Sequence, residues 1–352
     1  MTPAEQTVPA TPLVDVANVH VVAPDAWDEL VVRLGRDDAY LRLGYHRVSA
    51  HLEPAGTQPV LLHFRDAGGE LALPLLLRPL PDGAGWDATS AYGYGGPVGK
   101  GRPDLAAFGA ALDAWAVANG VVSSFLRFHP LLGNARFAPP TAELIELGAT
   151  VAWNIAPGRD LMADMHTHHR RVVRKAERAE LRVQVSVAPS DLSAFRELYD
   201  VTMQRQGAES FYFFGDAYWQ AMVDEPGLEL VLVDGFLPDG QLVASLLCFA
   251  DGSTLHYHLG ASAAEARNIG ASNRCFLSAA EWAQARGMQS FHLGGGVGAG
   301  TDSPLFQFKH RYDPTSEPKP FHIAKLVHDT ARFRELAGTD STAGFFPPWR
   351  GR

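Results

Sequence analysis

An order of elements that occurs twice limits what this 352-residue chain can fold into. In its second half, "LELVLVDGF", "QLVASLLCFA" and "TLHYHLGAS" are short β-rich runs separated by "PDG" and "ADGS". Such turns favour an antiparallel meander. There follows "ASNRCFLSAAEWAQARG", in which Cys275, Ala279, Trp282, Ala283 and Arg286 recur at helical spacing, with Ser272 as the expected N-cap and Gly287 as the stop. "MQSFHLGGG" then reads as a further strand. The first half repeats this order. "PVLLHFRDAGGELALPLLLRPL" is a hairpin with a DAGG turn, and "GWDATSAYGYGG" is a third extended stretch. "PDLAAFGAALDAWAVANG" is a helix with Leu105, Phe108, Leu112 and Trp115 on one face, and "VVSSFLRFHP" is the closing strand.

Two copies of meander, helix and strand predict a duplicated α/β (α+β) chain, each module a mostly antiparallel mixed sheet flanked by helices. The length fits two domains better than one. The Pro and Gly of "WNIAPGRD" mark the linker, giving a first module over 16–156 and a second over 157–335. Residues 1–15 and 336–352, rich in Thr, Pro and Gly, read as mobile tails.

Composition narrows the function classes. No apolar run approaches the roughly 20 residues that span a bilayer, and the first residues lack the basic and apolar regions of a signal peptide. A cytoplasmic protein is expected. The two cysteines, Cys248 and Cys275, lie in apolar patterns and read as buried thiols. The net charge of −9 disfavours broad binding to nucleic acid, but leaves room for a local basic patch. One exists in "HHRRVVRKAER": Arg170, Arg174 and Arg178 share a helical stripe, with Arg171 and Lys175 beside it. It reads either as a solvated face or as a track for phosphates. His166, His168 and His169 lack a metal-ligand register, and no metal is expected.

The stretch "GGGVGAGTDSPLFQFKHRYDP" fails both the P-loop and the GxGxxG patterns. Its glycines follow a predicted strand, where bare backbone permits close approach of a substrate. Gly294, Gly295 and Gly296 are therefore candidates for the wall of a cleft. No Ser-His-Asp arrangement or G-x-S-x-G elbow is present, so a covalent intermediate is not expected.

Strand meander, helix and strand is also the order of the GNAT acyltransferase core. Two such modules in tandem resemble the Fem-type aminoacyl-tRNA-dependent aminoacyltransferases. "YGYGGPV", "RFHPLLGN", "HRRVVRKAERAELRV", "HYHLGASAAEARNIGASN" and "FHLGGG" followed by "LFQFKHRYDP" carry the resemblance, across most of residues 85 to 315. It implies an acyltransferase that moves an amino acid from the acceptor end of an aminoacyl-tRNA to an amine. The product is a peptide or amide bond on a peptidoglycan precursor or a natural-product intermediate, formed by direct transfer without a cofactor. By this resemblance Lys309 of the "FK" motif supplies a cation to the oxyanion or to a tRNA phosphate, and Tyr92, Tyr94 and Arg127 line the acceptor side. The opposite reading makes Phe306 and Phe308 core and Lys309 a solvated charge. Tyr257 and His258 lie on a predicted central strand, whose alternation aims one of them into the cleft. His258 is either a base or a satisfied core histidine. In CoA-using relatives an Arg/Gln-x-x-Gly-x-Gly/Ala loop opens a helix and holds the pyrophosphate. Arg267, Gly270 and Asn273 of "RNIGASN" occupy that place, with Ser272 departing from the pattern. That loop is either a phosphate site, with Arg170, Arg174 and Lys175 nearby, or a plain turn. The alternatives are thus a CoA-dependent N-acyltransferase and a non-catalytic binding protein.

Overall fold

The computed structural model describes residues 13–35, 37–296 and 300–351. In the first half, β1 (Val19–Val21), α1 (Trp27–Leu34) and α2 (Leu43–Ala50) precede β2 (Gln58–Arg65), β3 (Gly69–Pro79), β4 (Trp86–Thr89), β5 (Val98–Gly101), α3 (Leu105–Ala118), β6 (Val121–Arg127) and β7 (Glu143–Asn154). In the second, α4 (Leu161–Asp164), α5 (Thr167–Arg178), β8 (Arg182–Val187), α6 (Ser193–Gln206) and α7 (Asp216–Asp224) lead to the meander β9 (Glu229–Phe236), β10 (Leu242–Asp251) and β11 (Thr254–Ser262). Then come α8 (Ala264–Ile269), α9 (Ala271–Ala285), β12 (Ser290–Gly295), α10 (Pro304–His310), β13 (Lys319–Val327) and α11 (Thr330–Ala337).

The repeat is real at the level of pairing. Each half has an antiparallel meander and one parallel pair: β4 with β6, joined through α3, and β11 with β12, joined through α8 and α9. Local chemistry explains the elements. Asp66 Oδ1 accepts the N–H groups of Gly68 and Gly69 and closes the β2–β3 turn. Asp104 caps α3 by accepting from Ala106 and Ala107, and Phe108, Leu112 and Trp115 bury its inner face. β3 and β10 are buried on both faces over eight consecutive residues, which is why they read as unbroken apolar runs. α9 starts at Ala271 behind Gly270, whose φ of +81° only glycine adopts at ease, so Ser272 lies inside the helix and does not cap it.

The sheet crosses the expected boundary at 156/157 three times. Its order is β1-β2-β3-β4-β6-β13-β7-β12-β11-β10-β9-β8, with β5 on β3. β7, from the first half, pairs antiparallel with β12, and β13, from the second, pairs with β6. β7 and β13 pair with each other, so one sheet runs through both modules. Local sequence carries no trace of this exchange, because the partners are more than a hundred residues apart.

The expected C-terminal tail is packed. Phe346 and Trp349 are buried with Leu80, Val122 and Phe333. Trp349 Nε1 and Arg350 Nε both donate to the fully buried Asp87 carboxylate, at 2.8 and 2.9 Å. Two buried aromatic rings and an ion pair outweigh the ordering of a few residues. At the other end residues 1–12 lie outside the described residues. Asp15 Oδ1 accepts the Val21 N–H and Asn119 Oδ1 the Val14 N–H, which ties down the end of the tail expected over 1–15.

Candidate active site

The parallel pair β11–β12 holds for three residue pairs, Thr254–Ser290, Leu255–Phe291 and His256–His292, and then ends. Two irregularities lie at that point. On β11 the register slips between Leu247 and Cys248, so that Leu247 faces Leu259, Cys248 faces Tyr257, and His258 is the extra residue of a bulge. On β12 a second slip against β7 falls between His292 and Gly294. The strands part, and a cavity of about 460 Å³ lies in the gap. Tyr92, Tyr94, Arg127, Tyr257, His258, Gly294, Gly295, Gly296 and Lys309 all line it, so every expected catalytic, acceptor and cleft-backbone residue meets at one place. Alternation along β11 gives one of Tyr257 and His258 to the cleft; the bulge gives both.

Lys309 is buried, at 6 % exposure, which excludes the solvated-charge reading. Ser303 caps α10 by accepting from Phe306, and Pro304 opens its first turn. Phe306 is core. On the inner side Lys309 Nζ donates to the Gly295 carbonyl at 2.8 Å and lies 5.2 Å from the centre of the Tyr257 ring. Burial pulls its pKa down to about 7, so the amine form is accessible at neutral pH, where a fixed cation was expected. The glycines make this packing possible. Gly294 has φ +73°, and a Cβ on Gly296 would fall 2.0 Å from Ser303 Oγ. Residues 297–299 of the same loop lie outside the described residues.

His258 is not free to act as a base. Its Nδ1 pairs with the Tyr40 hydroxyl at 3.1 Å and its Nε2 with the Tyr218 hydroxyl at 2.8 Å. Burial pushes its pKa down to about 3. It is a neutral strut between aromatic rings. Tyr92 accepts the Tyr45 hydroxyl proton on its carbonyl at 2.6 Å, and burial raises its own phenol to about 12. Tyr94 packs edge-on against Phe321 and Tyr40. The half-buried Arg127 forms no ion pair among the described residues, which leaves a guanidinium for an anionic or carbonyl group in the cavity.

The residues expected to hold phosphates stand elsewhere. Gly270 is covered by α5: a Cβ there would lie 2.5 Å from Val172 Cγ1 and 2.7 Å from its carbonyl oxygen. The start of α9 thus has no room for a pyrophosphate at this glycine; Arg267 points to solvent and Asn273 is buried. The plain-turn reading of "RNIGASN" is the one that fits. Arg170 is used structurally, donating to the carbonyls of Ala163 and Met165. Arg171, Arg174, Lys175 and Arg178 are exposed on α5, with no carboxylate in ion-pair reach among the described residues. His169, from the same helix, turns inward to pair with the Phe308 carbonyl at 2.8 Å and so ties α5 to the helix that carries Lys309.

Tyr40, Tyr212, Phe321 and the Leu147–Thr150 stretch of β7 also line the cavity and are absent from the sequence reading. "DDAYLRLGYH", with acidic and aromatic residues inside an apolar run, was the one available signal for Tyr40.

Residues 163–309 match the acetyltransferase (GNAT) domain family. No curated protein matches the chain. Among solved structures, FemX is similar at 16 % identity and TM-score 0.66, covering 91 % of this chain and all of FemX. L-PGS from Bacillus licheniformis is similar at 14 % identity and TM-score 0.55, over 86 % of this chain and 91 % of that one. A tandem GNAT protein from the clavulanic acid biosynthesis pathway is similar at 14 % identity and TM-score 0.54, over 88 % and 98 %. The chain has the tandem GNAT fold of Fem-like proteins, an acyltransferase fold. No described helix is long and apolar enough to cross a membrane.

Proposed function

We propose that this tandem GNAT protein is an aminoacyltransferase that moves an amino acid from the acceptor end of an aminoacyl-tRNA to an amine, the acceptor being a peptidoglycan precursor or a natural-product intermediate. The observation that carries this reading is the buried Lys309 amine at the mouth of the β11–β12 gap, in one cavity with Tyr94, Arg127 and Tyr257.

An amino acid esterified to tRNA is already activated, so the protein has to position an amine, accept its proton and stabilise an oxyanion. In its neutral form Lys309 takes a proton from the attacking amine as the new C–N bond forms. The resulting ammonium then faces the tetrahedral oxyanion. When the C–O bond breaks, the same proton goes to the ribose oxygen that leaves, which restores the neutral lysine. Arg127 and the Tyr94 hydroxyl orient the acceptor, and the bare backbone of Gly294 lets the ester approach.

The choice of donor rests on two features. The exposed cations of α5 suit a phosphate backbone, whereas the turn that would hold a CoA pyrophosphate is filled by Val172. The test is to titrate the protein with a fluorescent pool of charged tRNA and, separately, with acetyl-CoA, at several salt concentrations. Salt-sensitive binding of charged tRNA without CoA binding is expected. Saturable binding of acetyl-CoA without tRNA binding would overturn the proposal in favour of a CoA-dependent N-acyltransferase, the reading that the GNAT domain match favours.

A further inference from the structure

Beneath the floor of the cavity, where the two modules meet, a second group of side chains is left over by the transfer chemistry. Asp38 precedes a short turn near the start of the chain, His129 follows β6, and His256 is the last β11 residue before the strands part. All three are buried, the histidines completely. Asp38 Oδ2 lies 3.0 Å from His129 Nε2 and 3.2 Å from His256 Nε2. Each residue offers one ligand atom, and the three lie within 4.8 Å of one another.

These contacts are short, but they are not hydrogen bonds. Neither ring nitrogen of His129 has a hydrogen-bonding partner among the described residues, nor does His256 Nε2. An N–H on either Nε2 would not be lined up with the carboxylate oxygen it touches, so buried polar atoms stand side by side with no hydrogen bond between them. Ligand atoms about 2.0–2.2 Å from a tetrahedral metal stand roughly 3.3–3.6 Å apart, near the 3.0 and 3.2 Å that separate Asp38 Oδ2 from the two imidazoles.

The surroundings orient the same atoms. Asp38 Oδ1 accepts the Tyr40 N–H at 3.1 Å, which turns Oδ2 toward the two imidazoles. His256 Nδ1 meets His292 Nδ1 at 3.3 Å, and His292 Nε2 meets Thr150 Oγ1 at 2.9 Å. With the His292 Nε2 proton on Thr150, its Nδ1 accepts from His256 Nδ1 and leaves His256 Nε2 unprotonated beside Asp38. Metal-binding histidines are held by such outer partners. Asp251, whose Oδ2 lies 3.4 Å from His256 Nε2 and accepts the Ala39 N–H at 2.7 Å, adds a second buried carboxylate. A divalent cation would balance both.

We propose that Asp38, His129 and His256 bind one transition-metal ion of the zinc class, which fastens the Asp38 segment and the end of β6 to the centre of the second sheet. Two imidazoles and a carboxylate suit this borderline metal. The rings of Tyr40 and Tyr94 stand between the ion and the cavity, Tyr40 at 5.2 Å from the His256 ring and Tyr94 at 5.3 Å from that of His129. The ion therefore has a structural role, and the proposal is independent of which acyl donor the protein uses. It replaces the expectation from sequence that the chain holds no metal, since the three ligands are scattered over more than two hundred residues.

The test uses full-length protein carrying no histidine tag, from zinc-supplemented cells, passed through chelator-treated buffer and analysed for metal. One zinc per chain is expected, together with a fall in melting temperature on stripping that zinc alone reverses. Adding Co(II) to the stripped protein should give the visible bands of a four-coordinate site without thiolate charge transfer, because Cys248 and Cys275 are not ligands. His129→Gln should abolish the bands. Should that variant fail to fold, the wild-type cobalt spectrum and the zinc-dependent melting shift still decide. Substoichiometric metal, no such bands and no melting shift on adding zinc would overturn the proposal and make the cluster an ordinary buried ion-pair network.

Discussion

The Tyr94 hydroxyl and the Lys309 amine bracket the bare Cα of Gly294: a Cβ there would stand 3.3 Å from one and 3.4 Å from the other. The two groups come from opposite halves of the chain and meet over a residue whose φ of +73° favours glycine. Gly294→Ala should therefore cost about 1–2 kcal/mol in stability and push both groups off their positions. Transfer should fall roughly 10- to 100-fold, since small misplacements of reacting groups are expensive. Single-turnover kinetics with intact circular dichroism checks this; wild-type turnover would mean that the cleft does not depend on the bare backbone.

A neighbouring glycine acts through a helix cap. A Cβ on Gly296 collides with Ser303 Oγ, the cap of the helix that carries Lys309. Gly296→Ala should lower activity more than Ser303→Ala, whose loss of a cap costs about 1 kcal/mol. The double variant should recover part of the activity of Gly296→Ala, because the colliding oxygen is gone while Phe306 Cβ stays 3.0 Å away. Additive losses in a double-mutant cycle would rule out the collision as the cause.

Much of this arrangement was legible because it is local. Turns such as DAGG and helical spacing in "PDLAAFGAALDAWAVANG" identified the repeated order, and the order placed the glycines at a strand end, while Lys309 came from the resemblance of its "FK" motif. The exchange of β7 and β13 left no such mark, since register between distant strands is a property of the folded sheet. His258 shows the same limit: alternation is readable, but a bulge depends on the partner strand. In the C-terminal segment the signal was present and outweighed by its neighbours. "FFPPWR" is rich in aromatic residues, a poor composition for a tail that stays in solvent.

The exposed cations on α5 can be separated from the cavity. Replacing Arg174 and Lys175 together by Glu should weaken binding of charged tRNA at least tenfold and lower the slope of log K against log salt by about 2. Binding of the small amine acceptor should not change. An unaltered salt slope would show that this face is only solvated.

Asp87 is the hinge pin of the packed C-terminus. The fully buried carboxylate receives Arg78, Arg350 and the Trp349 indole. Asp87→Ala takes the carboxylate from both Arg350 and Arg78, leaving Arg78 only Glu53, and should destabilise the protein by about 3–5 kcal/mol. Removing residues 345–352 should be milder, since Arg78 still holds Asp87. Denaturant melts of the two variants give the comparison, and equal losses would mean that the arginine pairs contribute nothing beyond the aromatic packing.

Lys309 supplies the sharpest test, because the same burial that fits it for proton transfer works against stability. The unfolded chain keeps the lysine proton up to about pH 10.5, while the folded chain releases it near 7. Between these values the unfolded state binds more protons, so stability rises with pH. Lys309→Met removes that penalty while leaving the Gly295 carbonyl without its donor, which costs about 1–3 kcal/mol. The variant should gain melting temperature relative to wild type at pH 7 and below, with the advantage fading toward pH 10.5. Its transfer activity should fall by at least about 100-fold, the usual contribution of a positioned base. In the wild-type protein single-turnover transfer should rise through an apparent pKa near 7, as the amine form fills. A rate that falls with pH over the same range would assign Lys309 the role of a fixed cation and remove it as the proton acceptor.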